Sequence, residues 1–245
     1  MIKNEVIWIT GASAGIGLAL AKKLCRENVV IISGRNQKTL SALSDSHNNI
    51  KTVVFDVTDA TQIGRVTKEL GELTPHLDRV ILNAGDCEYL DINAPDWKSM
   101  ERMMSVNFLG MVHSLEACLE LLKKAPKPHL IGIGSQVTFA PFTKAAAYGA
   151  SKSAVHYWLS SLAIDLACFN ISVSAISPGF VDTQLTQKND FHMPFLMTTE
   201  DAANRIIKAT QARKLTYAFP KRLSILLWVA RIFPKKWSKL QQTNS

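Results

Sequence analysis

Residues 5–17 read Glu5-Val-Ile-Trp-Ile-Thr10 and then Gly11-Ala-Ser-Ala-Gly15-Ile-Gly17. A short apolar run halted by closely spaced glycines is a buried strand entering a tight turn. Beyond the turn, Leu18 to Glu27 carries Leu20, Ala21 and Leu24 at helical spacing. Strand, glycine loop and helix in that order aim backbone N–H groups and a positive helix terminus at one point, where a phosphate is held. The glycines permit both the turn and the close approach of a pyrophosphate. If this reading is right, strands and helices should alternate along the rest of the chain.

They do. Val29-Val-Ile-Ile-Ser33 reads as a second strand, Lys38 to Asp45 as a helix and Lys51-Thr-Val-Val-Phe55 as a third strand. Asp56-Val-Thr-Asp59 follows as a turn and helix cap, with Asp56 itself a candidate cap. Thr61 to Leu73 is helical, and Arg79-Val-Ile-Leu-Asn83 is a strand closed by Asn83-Ala84-Gly85. Residues 97–123 read as one long helix carrying Asn107. His129–Gly134 is the fifth strand, a helix runs from Ala145 to about Phe169, Ile171 to Ile176 is the sixth strand, and Tyr217-Ala-Phe219 is the last. Such alternation means a parallel sheet flanked by helices and wound both ways. Ligands of these sheets lie beyond the C-terminal ends of the strands. Gly11, Arg35, Asp56, Asn83, Ser135 and Pro178 all fall there.

Two stretches at those ends carry chemistry. Dinucleotide sites use an acid about twenty residues after the glycine loop for a ribose 2′-hydroxyl, and an arginine for a 2′-phosphate. The second strand ends in Gly34-Arg35-Asn36, with no acid, which favours NADP(H) over NAD(H); a solvated loop arginine is the alternative. The second stretch, Ser135 to Lys152, reads SQVTFAPFTKAAAYGASK. On a helix Tyr148 and Lys152 share one face at i and i+4. A nearby ammonium favours the phenolate and lowers the tyrosine pKa toward neutrality, which suits proton transfer. Ser135, at a strand end, is placed to orient a substrate oxygen toward Tyr148.

The totals exclude several function classes. With 245 residues and 47% hydrophobic composition, the chain is expected to form one core and one domain. Its four cysteines and six histidines are scattered without ligand or redox spacing, so free thiols and no metal are expected. Residues 1–212 carry equal numbers of bases and acids, so the net charge of +8 resides wholly in 213–245. A neutral body argues against nucleic-acid binding. Without a leader-like segment or an apolar run of spanning length, a cytoplasmic protein is expected.

These residues resemble those of the short-chain dehydrogenase/reductase family from Val6 to about Phe219. The resemblance rests on Thr10-Gly-Ala-Ser-Ala-Gly-Ile-Gly17, Asp56-Val57, Asn83-Ala84-Gly85, Pro178-Gly179 with Thr183, and the ordered set Asn107, Ser135, Tyr148 and Lys152. One departure stands at Leu82, where the family usually has a second asparagine. The resemblance implies a single-domain Rossmann-type fold of about seven strands over 1–220, with a variable substrate lid at 184–198. It implies cofactor contacts at Gly11, Ser13, Gly15, Ile16, Gly17, Arg35, Asp56, Val57, Asn83, Ala84, Gly85, Pro178, Gly179 and Thr183, shared with Tyr148 and Lys152. Tyr148 becomes the proton donor, Ser135 the group that polarises the carbonyl, Lys152 the tuning cation and Asn107 the support for a proton-relaying water. A homodimer or homotetramer is the family's habit.

Gln136, Phe142, Phe180 and Met193 are candidate substrate contacts, with ordinary packing as the competing reading, and Phe191 and His192 fall in the lid. An apolar carbonyl or alcohol is the expected substrate. The rival from another class is a catalytically idle NADP(H)-binding sensor or scaffold. The extension at 221–245 joins an apolar run, Leu223 to Phe233, to basic flanks and two tryptophans. It is too short to span a bilayer. Two readings stand: a helix lying through 221–240 in an anionic membrane surface, or a helix packed on the lid or on a second subunit.

Overall fold

The computed structural model describes residues 2–188 and 193–242. Its strands are β1 (Val6–Thr10), β2 (Val29–Gly34), β3 (Ile50–Val54), β4 (Arg79–Leu82), β5 (His129–Ile133), β6 (Ser172–Pro178) and β7 (Thr216–Phe219). Between and after them lie α1 (Gly15–Leu24), α2 (Gln37–Asp45), α3 (Ile63–Leu73), α4 (Lys98–Met104), α5 (Gly110–Lys123), α6 (Ala146–Asp165), α7 (Thr199–Gln211), α8 (Lys221–Ile232) and α9 (Pro234–Gln242). The seven strands form one sheet in the order β3-β2-β1-β4-β5-β6-β7, every pairing parallel. The expected seven-stranded, doubly wound parallel sheet is present.

Alternation along each strand divides the core into two layers. In β1, Ile7 and Ile9 face α1 and α7, packing with Leu20, Ala203 and Ile206. Trp8 faces the other way, among Leu70 of α3, Leu122 of α5 and Leu159 of α6. Fully burying one such side chain contributes about 1.5–3 kcal/mol, so both faces are strongly specified.

The strand order reverses direction between β1 and β4, and that switch point positions the site. Gly11 follows β1 at φ +65, and a Cβ there would lie 2.7 Å from the Ala84 Cα. Only glycine allows the first loop to touch the end of β4 so closely. The Asn83 side chain ties the two together by donating to the Thr10 and Gly11 carbonyls, both at 3.1 Å.

Three local expectations are corrected. The helix anticipated over 97–123 is interrupted by a π-helical turn, Ser105–Leu109. Strand β6 runs two residues further than expected, to Pro178, because β7 pairs with it there. The cap after β3 is Asp59, which accepts from the Thr61 backbone N–H, whereas Asp56 closes a turn on Thr58.

The extension forms α8 and α9 as one packed appendage. Leu223, Leu227 and Ala230 of α8 bury against Ala140, with Phe139, Phe142, Phe180 and Trp237 around them. The Trp237 indole donates to the Pro141 carbonyl, and its ring meets Phe142 edge-on at 5.5 Å. The inner face of α8 thus packs on the segment around Ala140 and on Phe180, a partner that neither reading of this extension named.

Candidate active site

A cavity of ≈ 1650 Å³ opens over the C-terminal ends of the strands. One end of it is formed by the loop at Gly11, Ser13 and Gly15 with Ile16 at the start of α1. Arg35, Asp56 and Val57 lie along the same wall. Asn83, Ala84 and Gly85 form its floor, and Pro178, Gly179 and Thr183 close the opposite side. Gly15 has φ +55, and a Cβ on it would come within 3.3 Å of Thr183 Cγ2, so the two segments pinch the cavity between them. This cradle fits a dinucleotide: backbone approaches closely, a helix N-terminus points inward, and an exposed cation stands at the tip of β2.

Ser135, Tyr148 and Lys152 line the adjoining half. Ser135 caps the turn after β5, accepting from the Val137 N–H at 3.2 Å. Tyr148 and Lys152 sit one turn apart near the start of α6, as their spacing predicts. Lys152 is buried and donates to the Ile133 carbonyl at 3.1 Å. Burial pulls its pKa down to about 8. Burial pushes the Tyr148 phenol above its ordinary range; the nearby Cys87 adds to this, while hydrogen bonding with Ser135 opposes it. In the protein by itself the Tyr148 pKa is thus raised where the sequence led us to expect a lowering, because burial raises the cost of charge on both groups.

Asn107 stands behind the cavity wall and is fully buried. Its Oδ1 accepts from the Asp86 N–H at 2.9 Å, and its Nδ2 donates to the Asp86 carbonyl at 3.0 Å and to Ser151 Oγ at 2.9 Å. Ser151 in turn donates to the Tyr148 carbonyl at 2.8 Å. Asn107 thus clamps the Asn83–Gly85 floor to the tyrosine helix, and the π-helical turn aims it there. A π-turn inside an α-helix commonly marks such a site.

The other assigned residues divide. Gly17 lies beneath the loop, where a Cβ would come within 2.4 Å of the Gly11 carbonyl oxygen. Gln136, Phe142 and Phe180 line the cavity, and Met193 does not. Phe191 and His192 lie outside the described residues. Gln136 is buried, and neither of its amide atoms has a hydrogen-bond partner among the described residues.

Several wall residues carried no signal in the sequence. Cys87 lines the cavity near Tyr148 and Lys152, its thiol pushed up to about 11 mainly by burial. Leu223, Leu226, Leu227, Trp237 and Leu240 of the extension also line it. The stripe Leu223, Leu227 and Ala230, at helical spacing, is the signal that could have marked an inner face on this helix.

Comparison with known proteins agrees with this architecture. Residues 5–193 match the model of the family described as short chain dehydrogenase. An uncharacterized oxidoreductase of Staphylococcus epidermidis is 34% identical over 213 residues, covering 85% of this chain and 91% of that protein. A second, from Myxococcus xanthus, is 32% identical over 231 residues, covering 92% of this chain and 91% of its own length. Among solved structures, the NADP complex of Pseudomonas aeruginosa RhlG superposes with a TM-score of 0.78 at 23% identity, covering 89% of this chain and 95% of that one. The 3-ketoacyl-(acyl-carrier-protein) reductase of Brucella melitensis, complexed with NADH, gives 0.79 at 22% identity, covering 88% and 96%. The chain that builds this sheet, glycine loop and tyrosine–lysine pair belongs to the short-chain dehydrogenase family of oxidoreductases.

Proposed function

We propose that the protein is an NADP(H)-dependent oxidoreductase that interconverts a carbonyl and an alcohol on an apolar substrate. The observation that carries this reading is the convergence of Ser135, Tyr148 and Lys152 on one wall of a cavity whose other half is the glycine cradle. NADPH, when bound, supplies the hydride that arrives at the carbonyl carbon. Tyr148 Oη gives its proton to the carbonyl oxygen, and the Ser135 hydroxyl holds that oxygen in place. The Lys152 ammonium stabilises the phenolate left behind, and the oxidative direction reverses each transfer. Asn107 acts by positioning, through Asp86 and Ser151.

Arg35 supports NADP(H): it is exposed, lines the cavity and has no acid beside it at the end of β2. Phe142, Phe180 and the leucines of α8 support an apolar substrate. Fluorescence titration with NADPH and NADH tests the cofactor assignment. The wild type should bind NADPH at least tenfold more tightly, and Arg35→Asp should erase that preference. Equal binding by the wild type, or an unchanged preference in the variant, would remove Arg35 from the 2′-phosphate.

A homodimer or homotetramer built on α5 and α6 belongs to the same reading, supported by the exposed Tyr157 and Ile164 of α6. Tyr157→Glu should shift sedimentation to the monomer, and an unmoved boundary would place the contact elsewhere. The reading places the enzyme in the cytoplasm with its extension touching a membrane. No helix among the described residues is long and apolar enough to cross one.

A further inference from the structure

We propose that the outward face of α8 and α9 seats the protein on an anionic lipid surface and holds the mouth of the cavity against it. Helix α8 has two apolar stripes. Leu223, Leu227 and Ala230 are buried against the body. Ile225, Trp228, Val229 and Ile232 follow at i, i+3, i+4 and i+7 on the other side. Ile225 is 63% exposed and Trp228 62%, and Phe233 continues the ridge beyond the end of α8. A helix hydrophobic on both sides has two partners to find, and the body covers only one.

The charge around the ridge selects the second partner. No acidic residue follows Asp201, while Lys221, Arg222, Arg231, Lys235, Lys236 and Lys239 surround the ridge. All six are exposed. Lys221 and Arg222 lie one turn ahead of Ile225, so they border the stripe itself. A tryptophan in an apolar ridge fringed with lysine and arginine matches the boundary between acyl chains and anionic headgroups. A second copy of the chain is a poor occupant. A two-fold contact would set this acid-free basic surface against itself. Nucleic acid suits the bases but not the apolar stripe between them.

The ridge is continuous with the cavity. Leu226 and Leu240 are exposed at the surface and also line the cavity wall. Docking through the ridge therefore brings the opening to the lipid boundary. That the opening admits an apolar carbonyl or alcohol from the bilayer rests on the oxidoreductase reading, whereas the docking does not.

Flotation of the full chain with vesicles tests the docking independently of turnover. The protein should rise with vesicles containing phosphatidylserine, remain behind with phosphatidylcholine alone, and be released by added salt. Ile225→Glu/Trp228→Glu should stay unbound while melting normally and binding NADPH as the wild type does. Lys235→Glu/Lys236→Glu keeps the apolar ridge and should lower the partition coefficient roughly fivefold or more for each base reversed. No flotation with phosphatidylserine vesicles, or flotation unchanged in both variants, would overturn the proposal. So would self-association of the wild type that Ile225→Glu/Trp228→Glu abolishes, since the ridge would then join copies.

Discussion

The two ends of the sheet hold buried polar clusters of similar size that are built to opposite ends. At the N-terminal edge, Arg79 is buried and donates to the Glu5 carboxylate at 2.8 and 3.0 Å and to the Thr210 carbonyl at 3.2 Å. It also meets His129 Nδ1, while His129 Nε2 lies 2.8 Å from Ser174 Oγ, which donates to the Lys214 carbonyl at 2.6 Å. A guanidinium only donates, so Nδ1 accepts and the imidazole proton sits on Nε2. Burial, reinforced by Arg79 and Arg213, holds the His129 pKa down to about 2, so the ring stays neutral. Each of these side chains has a partner. At the C-terminal edge, Lys152 is pulled down to about 8, Tyr148 is raised, and the Gln136 amide is unpaired among the described residues. One edge is closed and stabilising; the other keeps its polar groups available. Satisfied networks stabilise, and perturbed, half-satisfied ones in a cavity are where chemistry is expected.

That contrast can be broken by substitution. Arg79→Met should be the costliest change, losing about 3–5 kcal/mol of stability because Glu5 and His129 are left unpaired. Denaturant unfolding measures it, and a loss under about 1 kcal/mol would mean that the N-terminal cluster is not a keystone. Lys152→Met should do the opposite, abolishing turnover yet adding on the order of 1–3 kcal/mol near pH 7. The sign follows from the shift. Below about pH 8 the wild type carries a buried ammonium that the unfolded chain solvates better, so protonation costs stability. Wild-type stability recovers between about pH 8 and the unfolded value of 10.5, so the variant's advantage should fade across that window. An advantage independent of pH would point to packing instead. Gln136→Met should bring the smallest effect, a rise of about 1 kcal/mol or less, seen as a few degrees in Tm. A drop in Tm would show that the amide holds a partner in solution.

The closed edge and the open edge were not equally legible. The succession of strands and helices, the glycine loop and the Tyr148–Lys152 face follow from local pattern, because strand alternation and helical spacing are properties of adjacent residues. The Arg79–His129 cluster joins residues fifty apart in the chain, and no local rule pairs them. The π-turn at Asn107 escaped for a similar reason. It exists to meet Asp86 and Ser151, and only the folded chain brings those together. Leu82, where an asparagine is usual, is fully buried in the second core layer; the apolar residue serves packing while Asn83 and the Thr10 hydroxyl tie the loop. The leucines of α8 show how far a pattern reaches. The sequence showed an apolar run from Leu223 to Phe233, and only the fold separates its buried face from its exposed one and sets leucines of it in the cavity wall.

Steady-state turnover and NADPH binding, measured side by side for the wild type and Tyr148→Phe on a panel of apolar ketones and aldehydes, test the central claim most directly. The wild type should oxidise NADPH with at least one of these carbonyls. The variant should lose about 10²–10⁴-fold in rate while its NADPH affinity and melting temperature stay in place. Turnover by Tyr148→Phe at the wild-type rate would contradict it, because the proton would then come from elsewhere and the open edge would lose its central residue.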